Sequence, residues 1–137
     1  MSVIEELIKV EKDGTLSFGN YLVDSKQKVL DFEVNGDLYY VKTYNQVTKI
    51  EKNSKLLLEA VPGATIHNLK MEAKVVTFSI EGEEDVKVTM ELEGEKEYSV
   101  FIESVNVGTV KASVAGKINF SVDSKKMIKE VKVEKIN

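Results

Sequence analysis

Apolar and polar residues alternate with a period close to two through most of the second half of the chain. The clearest runs are VTFSI (residues 76–80), VKVTMEL (86–92) and YSVFI (98–102), each followed by a short polar or glycine-containing stretch. Alternation of this kind puts apolar side chains on one face and polar ones on the other, which is typical of half-buried antiparallel strands. Three more strands are predicted over residues 107–112, 117–122 and 128–136. Six strands at a spacing of roughly ten residues predict an antiparallel, immunoglobulin-like β-sandwich.

The first half of the chain is less regular but also favours strands. They are predicted over residues 15–18, 29–34, 38–43, 47–51 and 55–60. We place a boundary near Gln46, which divides the chain into a smaller β-rich region, residues 1–46, and the antiparallel sandwich, residues 47–137. The predicted fold class is therefore mainly β.

Glycine and proline mark the predicted turns. Gly14, Gly36 and Gly116 each precede an aliphatic and an aromatic residue in an alternating run, and we interpret all three as hairpin tips. Pro62 is the single proline of the chain. With Gly63 behind it, Pro62 fits the centre of a type II turn, whose second central residue needs a positive φ.

A short helix is predicted only at the amino terminus. Ser2 and Glu5 have the spacing of a capping box, and Ile4, Leu7 and Ile8 fall on one helical face. A helix of this length is not stable alone, so it must dock on its own sheet or on a neighbouring subunit. Ile4, Leu7 and Ile8 are therefore the predicted oligomerisation residues.

Charge and hydrophobicity exclude several classes of partner. The chain has 19 basic residues, all of them lysine, against 23 acidic ones, and they are dispersed along it. Nucleic acid is therefore not a predicted partner, because phosphate binding needs a concentrated positive face. No apolar run approaches the ~20 residues of a membrane-spanning helix, and the amino terminus lacks the pattern of a signal peptide. We predict a cytoplasmic protein that does not bind membranes.

The residue types that most enzymes and metal sites require are scarce. The chain has no cysteine, no tryptophan and one histidine, His67, which removes thiol nucleophiles and the usual zinc ligand sets. No serine lies in a Gly-x-Ser-x-Gly elbow, and no glycine-rich phosphate loop is present. The acidic residues Glu81, Glu83, Glu84 and Asp85 are interpreted as a solvated turn. We therefore predict no enzymatic activity, no cofactor and no metal.

Three tyrosines form the predicted binding surface, namely Tyr39, Tyr40 and Tyr44. Because Tyr39 and Tyr40 are adjacent in a predicted strand, they point to opposite faces, and one is expected in the core with the other exposed. Tyrosine supplies a large apolar area with a polar tip, which suits contacts with a carbohydrate or with another protein.

The order of several segments resembles a family of short clostridial all-β proteins that carry the label "endosialidase". The resemblance covers nearly the whole chain and is based on MSVIEELI (1–8), DGTLSFGNY (13–21), VKT (41–43), VPGA (61–64) and IEG (80–82). The label implies a site that holds the sugar carboxylate with several arginines. This chain has no arginine, and it is much shorter than a catalytic propeller, so the resemblance predicts kinship without that activity.

The leading hypothesis is a non-catalytic structural or scaffolding protein that acts through homo-oligomerisation. Its main partner is a second copy of the chain, which docks through the amino-terminal segment or through an edge strand. The alternative is a module that binds a carbohydrate or another protein through the tyrosine surface.

Overall fold

Thirteen strands account for most of residues 3–136, the part of the chain that the computed structural model describes. In chain order they are β1 (Ile8–Val10), β2 (Leu16–Phe18), β3 (Gln27–Val34), β4 (Asp37–Tyr44), β5 (Val47–Lys52), β6 (Lys55–Val61), β7 (Ala64–Met71), β8 (Val75–Gly82), β9 (Asp85–Glu91), β10 (Glu97–Ile102), β11 (Val105–Lys111), β12 (Lys117–Asp123) and β13 (Lys129–Ile136). They form two antiparallel sheets that pack face to face, so the predicted β-sandwich is confirmed. The described part of the chain contains no helix of the length and hydrophobicity that a membrane crossing requires.

Sheet A has seven strands in the order β1-β2-β7-β8-β13-β10-β11, and sheet B has six in the order β12-β9-β6-β5-β4-β3. The strand nearest the carboxyl end, β13, lies in the middle of sheet A between β8 and β10. The boundary proposed near Gln46 falls in the turn between β4 and β5, and these strands pair along their length. Residues on both sides of that boundary therefore contribute to sheet B.

One face of each strand supplies the core, as the alternation predicts. In β8, Val76, Phe78 and Ile80 are buried between the sheets, while Thr77 and Ser79 face outward and are only half-buried. Full burial of a large apolar side chain stabilises the fold by about 1.5–3 kcal/mol. The same arrangement in the other central strands makes one continuous core.

The predicted amino-terminal helix is wrong, because the chain makes a turn and then enters strand β1 at Ile8. Leu7 has φ +75°, in the left-handed region, which interrupts a right-handed helix. Ile4 N donates to the Gly19 carbonyl at 3.0 Å, and Gly19 N donates to the Leu7 carbonyl at 2.9 Å. Ile4 and Ile8 are thus buried against their own subunit. Ser2, the predicted capping residue, lies outside the described residues.

Two of the three predicted hairpin tips are correct. Gly14 joins the paired strands β1 and β2, and Gly36 joins the paired strands β3 and β4. Gly116 instead ends a connection that crosses from β11 in sheet A to β12 in sheet B. Gly36 and Gly116 have nearly the same φ, +87° and +90°. Their surroundings differ, since a Cβ on Gly36 would meet nothing within 4 Å and one on Gly116 would lie 2.1 Å from the Leu92 carbonyl oxygen.

The type II turn predicted at Pro62 and Gly63 is also wrong. The Val61–Pro62 peptide bond is cis, and Gly63 is not among the residues with positive φ. This connection carries the chain from β6 in sheet B to β7 in sheet A. A Cβ on Gly63 would lie 2.0 Å from the Tyr44 carbonyl oxygen. Glycine is therefore required here by close backbone packing and not by the turn type.

A chain of buried hydroxyl groups joins the two sheets at Thr48. The Thr48 hydroxyl on β5 donates to the Ala64 carbonyl on β7 at 2.7 Å, and Ala64 N donates back to it at 3.1 Å. Because its single hydrogen is used, the 2.8 Å bond between the Thr43 and Thr48 hydroxyls has Thr43 as the donor. Thr43 in turn accepts from Asn20 N at 2.9 Å. Every hydrogen-bonding site of the Thr48 hydroxyl is filled.

Candidate functional site

The three predicted tyrosines do not form one surface. Tyr39 packs against the core together with Phe32. Tyr40 and Tyr44 alternate with the buried Val41 and Thr43 on β4, so they share the outer face of sheet B. Ligand binding by these tyrosines stays a prediction, and the structure brings only two of the three together.

The predicted oligomerisation residues are similarly divided. Ile4 and Ile8 are buried within the subunit, and Leu7 between them is half-buried. The amino-terminal segment therefore docks on its own sheet, which is one of the two possibilities that its apolar residues allow. The buried pair offers no apolar surface to a second copy.

The four edge strands of the sandwich differ in how they are protected from pairing with another chain. β1 is only three residues long, β3 carries three charged side chains, and β12 keeps its aliphatic residues buried. Short length and charged side chains are among the usual protections of an edge, as are β-bulges. β11 is different, because its seven residues contain a single charge, Lys111, at one end.

β11 also exposes apolar side chains. Val105 is 61% exposed and Val107 is 55% exposed, and Val110 is only half-buried. One irregularity interrupts the pairing with β10, where Val100 is opposite Gly108 and Phe101 is opposite Asn106. β11 is thus the outermost strand of sheet A on this side, and within it Gly108 N donates to the Asn106 side-chain oxygen at 2.9 Å.

A groove of about 430 Å³ lies on the outer face of sheet A, across β8, β13 and β10. We call it the sheet A groove. Phe101 contributes its aromatic ring, and the polar side chains come from six residues: Asn68, Thr77, Ser79, Ser104, Glu130 and Lys132. Its volume falls within the range of about 300–1,000 Å³ that small-molecule sites occupy.

Strand register places the groove side chains next to one another. Ser79 lies opposite Glu130, and Thr77 lies opposite Lys132. Lys132 also lies opposite Phe101 on its other side, and its ammonium is 4.5 Å from the centroid of the Phe101 ring. The ring therefore holds the ammonium group by a cation–π contact, worth about 0.5–1 kcal/mol at an exposed site.

Asn68 enters the groove at a bulge in β7, where it has φ +58°. Its Nδ2 donates to the Thr15 hydroxyl at 3.0 Å, and its backbone N donates to the Ser17 hydroxyl at 3.0 Å. These contacts fix the amide in one orientation. Among the polar side chains of the groove, that of Asn68 is the one that makes a hydrogen bond within residues 3–136.

A second polar feature, the Tyr21 cluster, consists of the buried Tyr21 and Glu81 and the half-buried His67, which lies opposite the groove residue Ser79. The Tyr21 hydroxyl donates to Glu81 Oε2 at 3.2 Å, and His67 Nε2 lies 3.5 Å from Glu81 Oε1. Glu81 is only 6% exposed, so its interpretation as part of a solvated turn is wrong. Within residues 3–136, no group of three or more histidine, aspartate or glutamate side chains is placed to hold a metal ion.

Burial is the main cause that raises the pKa of Tyr21 to about 12, and the charge of the neighbouring Glu81 adds to it. A raised pKa means that the folded protein resists ionisation of the phenol. The resulting stability is complete below the ordinary pKa of 10.0 and is lost as the pH rises towards 12. At lower pH the phenol serves as a hydrogen-bond donor that ties the connection between β2 and β3 to sheet A.

We expect Tyr21→Phe to lower the free energy of unfolding by about 1 kcal/mol at pH 8, because one buried hydrogen bond is lost. Between pH 8 and pH 11, the free energy of unfolding of the wild type should fall by about 1.4 kcal/mol more than that of the variant. The reason is that pH 11 lies one unit above the ordinary pKa of 10.0, and one pKa unit corresponds to that energy. Urea unfolding followed by circular dichroism at both pH values tests this. Tyr44→Phe is the control, because the Tyr44 hydroxyl contacts Gln46 at the surface. A pH response of Tyr21→Phe equal to that of the wild type would contradict the expectation.

Comparison of the chain with protein-family models, with curated proteins and with solved structures finds no match. The groove and the Tyr21 cluster were not predicted from the sequence. One signal for the groove was present in the sequence. In the run YSVFI, Phe101 occupies a position that the alternation assigns to the polar face of the strand. An aromatic residue at such a position indicates an outward-facing ring, which is the ring that the groove contains.

Proposed function

We propose that this protein is a non-catalytic structural protein that assembles with further copies of itself through β11. The observation that supports the proposal is the state of this edge, with its two exposed valines and its single terminal charge. An apolar edge strand with free backbone groups is a template for another strand. Such pairing stabilises an assembly without any chemistry at the contact.

A second copy of β11 is the partner that suits this edge. Antiparallel pairing of two β11 strands about a twofold axis extends sheet A from seven strands to fourteen. Lys111 ends each strand, so antiparallel pairing puts the two lysines at opposite ends of the contact. Parallel pairing would bring the like charges together, which disfavours it.

Size-exclusion chromatography with light scattering over a range of protein concentrations tests the proposal. We expect the wild type to form a dimer and the double variant Val105→Lys/Val107→Lys to be a monomer, because both new charges lie on the pairing edge. Val114→Lys is the matched control, since Val114 is also exposed but lies in the crossover after β11. Circular dichroism verifies that each variant is folded.

Leu30→Lys tests whether the other long edge strand, β3, forms the contact instead of β11. Leu30 is an exposed aliphatic residue on β3, the edge strand of sheet B. We expect this variant to remain a dimer. A wild-type monomer at the highest soluble concentration, or a dimer lost with Leu30→Lys and kept in the double valine variant, would overturn the proposal.

A further inference from the structure

We infer that the sheet A groove binds a neutral saccharide. This site is separate from the β11 edge and does not depend on assembly of the subunits. It is also separate from the Tyr40 and Tyr44 surface, which lies on the outer face of the other sheet. The inference is drawn from the hydrogen-bonding groups of the groove, its charge and the way its side chains are held.

The groove combines the groups that recognise sugar hydroxyls. The hydroxyl groups of Thr77, Ser79 and Ser104 both donate and accept, the Glu130 carboxylate accepts, and the Lys132 ammonium donates. A sugar hydroxyl is itself both a donor and an acceptor, so a ring with several of them can use all of these groups. The Phe101 ring adds an apolar surface for the C–H groups of a sugar.

The charge of the groove favours a neutral ligand. Its one carboxylate, Glu130, and its one ammonium, Lys132, are two residues apart on the same strand and project from the same face. Their opposite charges leave no excess of positive charge for a phosphate, a sulfate or an acidic sugar. A neutral ligand can instead donate to Glu130 and accept from Lys132 at once.

Two groups of the groove are held in place before any ligand arrives. Asn68 is anchored by its hydrogen bonds to Thr15 and Ser17, which leaves its carbonyl oxygen to accept from a ligand. Lys132 is held against the Phe101 ring. Groups that are already ordered lose less conformational entropy on binding, and they raise affinity for that reason.

A glycan array that carries neutral oligosaccharides, with sialylated and sulfated glycans as separate arms, is the first experiment. The neutral glycan with the strongest signal is then titrated against the protein by calorimetry. We expect binding in the neutral arm. Phe101→Ala should weaken the association constant by about tenfold or more, because the apolar wall is removed together with the support of Lys132.

Tyr40→Ala is the matched control, because Tyr40 is also an outward-facing aromatic residue beneath a lysine, with Lys49 Nζ 5.8 Å from its ring centroid. We expect it to bind like the wild type. Since Phe101→Ala removes a half-buried ring, Glu130→Gln serves as a second groove variant that keeps the shape of the side chain, and it too should bind more weakly.

Three results would overturn the inference. They are an array with no neutral glycan bound, binding confined to the sialylated or sulfated arms, and binding lost in Tyr40→Ala while the groove variants keep it. The last result would assign the site to the outer face of sheet B. Strand pairing through β11 is measured without any glycan, so failure of one proposal leaves the other testable.

Discussion

Replacing Thr48 with valine is expected to lower the free energy of unfolding by about 3–5 kcal/mol, a large part of the stability of a domain this size. Valine has nearly the same shape, so the change removes the hydroxyl and little else. The Ala64 N–H and the Ala64 carbonyl would lose the Thr48 hydroxyl as a partner, and the Thr43 hydroxyl would lose the acceptor of its hydrogen, in the fully buried contact between the sheets. Each buried polar group left without a partner costs about 1–3 kcal/mol. Urea unfolding at neutral pH measures the loss.

Two further variants separate the hydroxyl from other effects at Thr48. Thr48→Ser keeps the hydroxyl and removes one methyl group, so we expect a loss of only about 1 kcal/mol. Thr89→Val removes a hydroxyl that bonds Asn119 on the outer face of sheet B, where water can replace it. We expect a change within about 0.5 kcal/mol there. If Thr48→Val were no worse than Thr89→Val, the hydroxyl bridge would not hold the sheets together.

Gly116→Ala is expected to be similarly damaging, with a loss of about 3–5 kcal/mol. An alanine at a left-handed φ costs about 1–2 kcal/mol for its backbone conformation alone. The new Cβ would also lie 2.1 Å from the Leu92 carbonyl oxygen, and overpacking of this kind costs typically about 1–3 kcal/mol or more. That carbonyl is backbone, and Leu92 N also donates to the Gly116 carbonyl, so the two segments cannot easily separate.

The chain offers a control for each of these two causes. Gly36 has nearly the same φ as Gly116, but its surroundings are open. Gly36→Ala therefore measures the conformational cost alone. Gly94 is not among the residues with positive φ, but its Cβ would lie 2.2 Å from the Val114 carbonyl oxygen, so Gly94→Ala measures the contact alone. We expect thermal unfolding to show the greatest loss for Gly116→Ala. Equal losses for Gly36→Ala and Gly116→Ala would contradict the role of the contact.

Local alternation was enough to predict most of the strands, because most of them bury one face in the core. It failed at the amino terminus. There Ile4 and Ile8 have the spacing of a helix, yet both are buried because the chain turns at Leu7 and then pairs as β1. Over so few residues the apolar periodicity of a helix cannot be told apart from that of a strand. What decides between them is β2, which the segment meets only in the folded protein.

Contacts between distant segments explain the remaining differences. Glu81 follows an apolar strand and precedes a glycine, as a turn residue would, but Tyr21 covers it from 60 positions earlier in the chain. Gly36 and Gly116 follow similar sequence patterns, and only the assignment of their flanking strands to sheets distinguishes a hairpin from a crossover. The burial of Thr43 and Thr48 could be predicted in part, because these residues alternate in step with the buried residues Val41 and Ile50.

The candidate sites depended even more on the folded arrangement. The sheet A groove combines side chains that lie between residues 68 and 132, on strands that no local pattern connects. The exposure of β11 likewise depends on its position at the edge of sheet A, since its sequence, VNVGTVK, would suit a buried strand equally well. Strand order, which is set by long-range pairing, was the missing information.

The interior position of β13 imposes an order on the assembly of sheet A. The β10–β11 hairpin joins the rest of sheet A only through β13, which pairs with β8 on its other side. Residues 129–136 follow both of these neighbours in the chain, so sheet A stays in two parts until β13 pairs with β8 and β10. Open sheet edges bind other chains, and pairing between distant segments is slow. During refolding, the edges of β8 and β10 therefore stay open until β13 inserts between them.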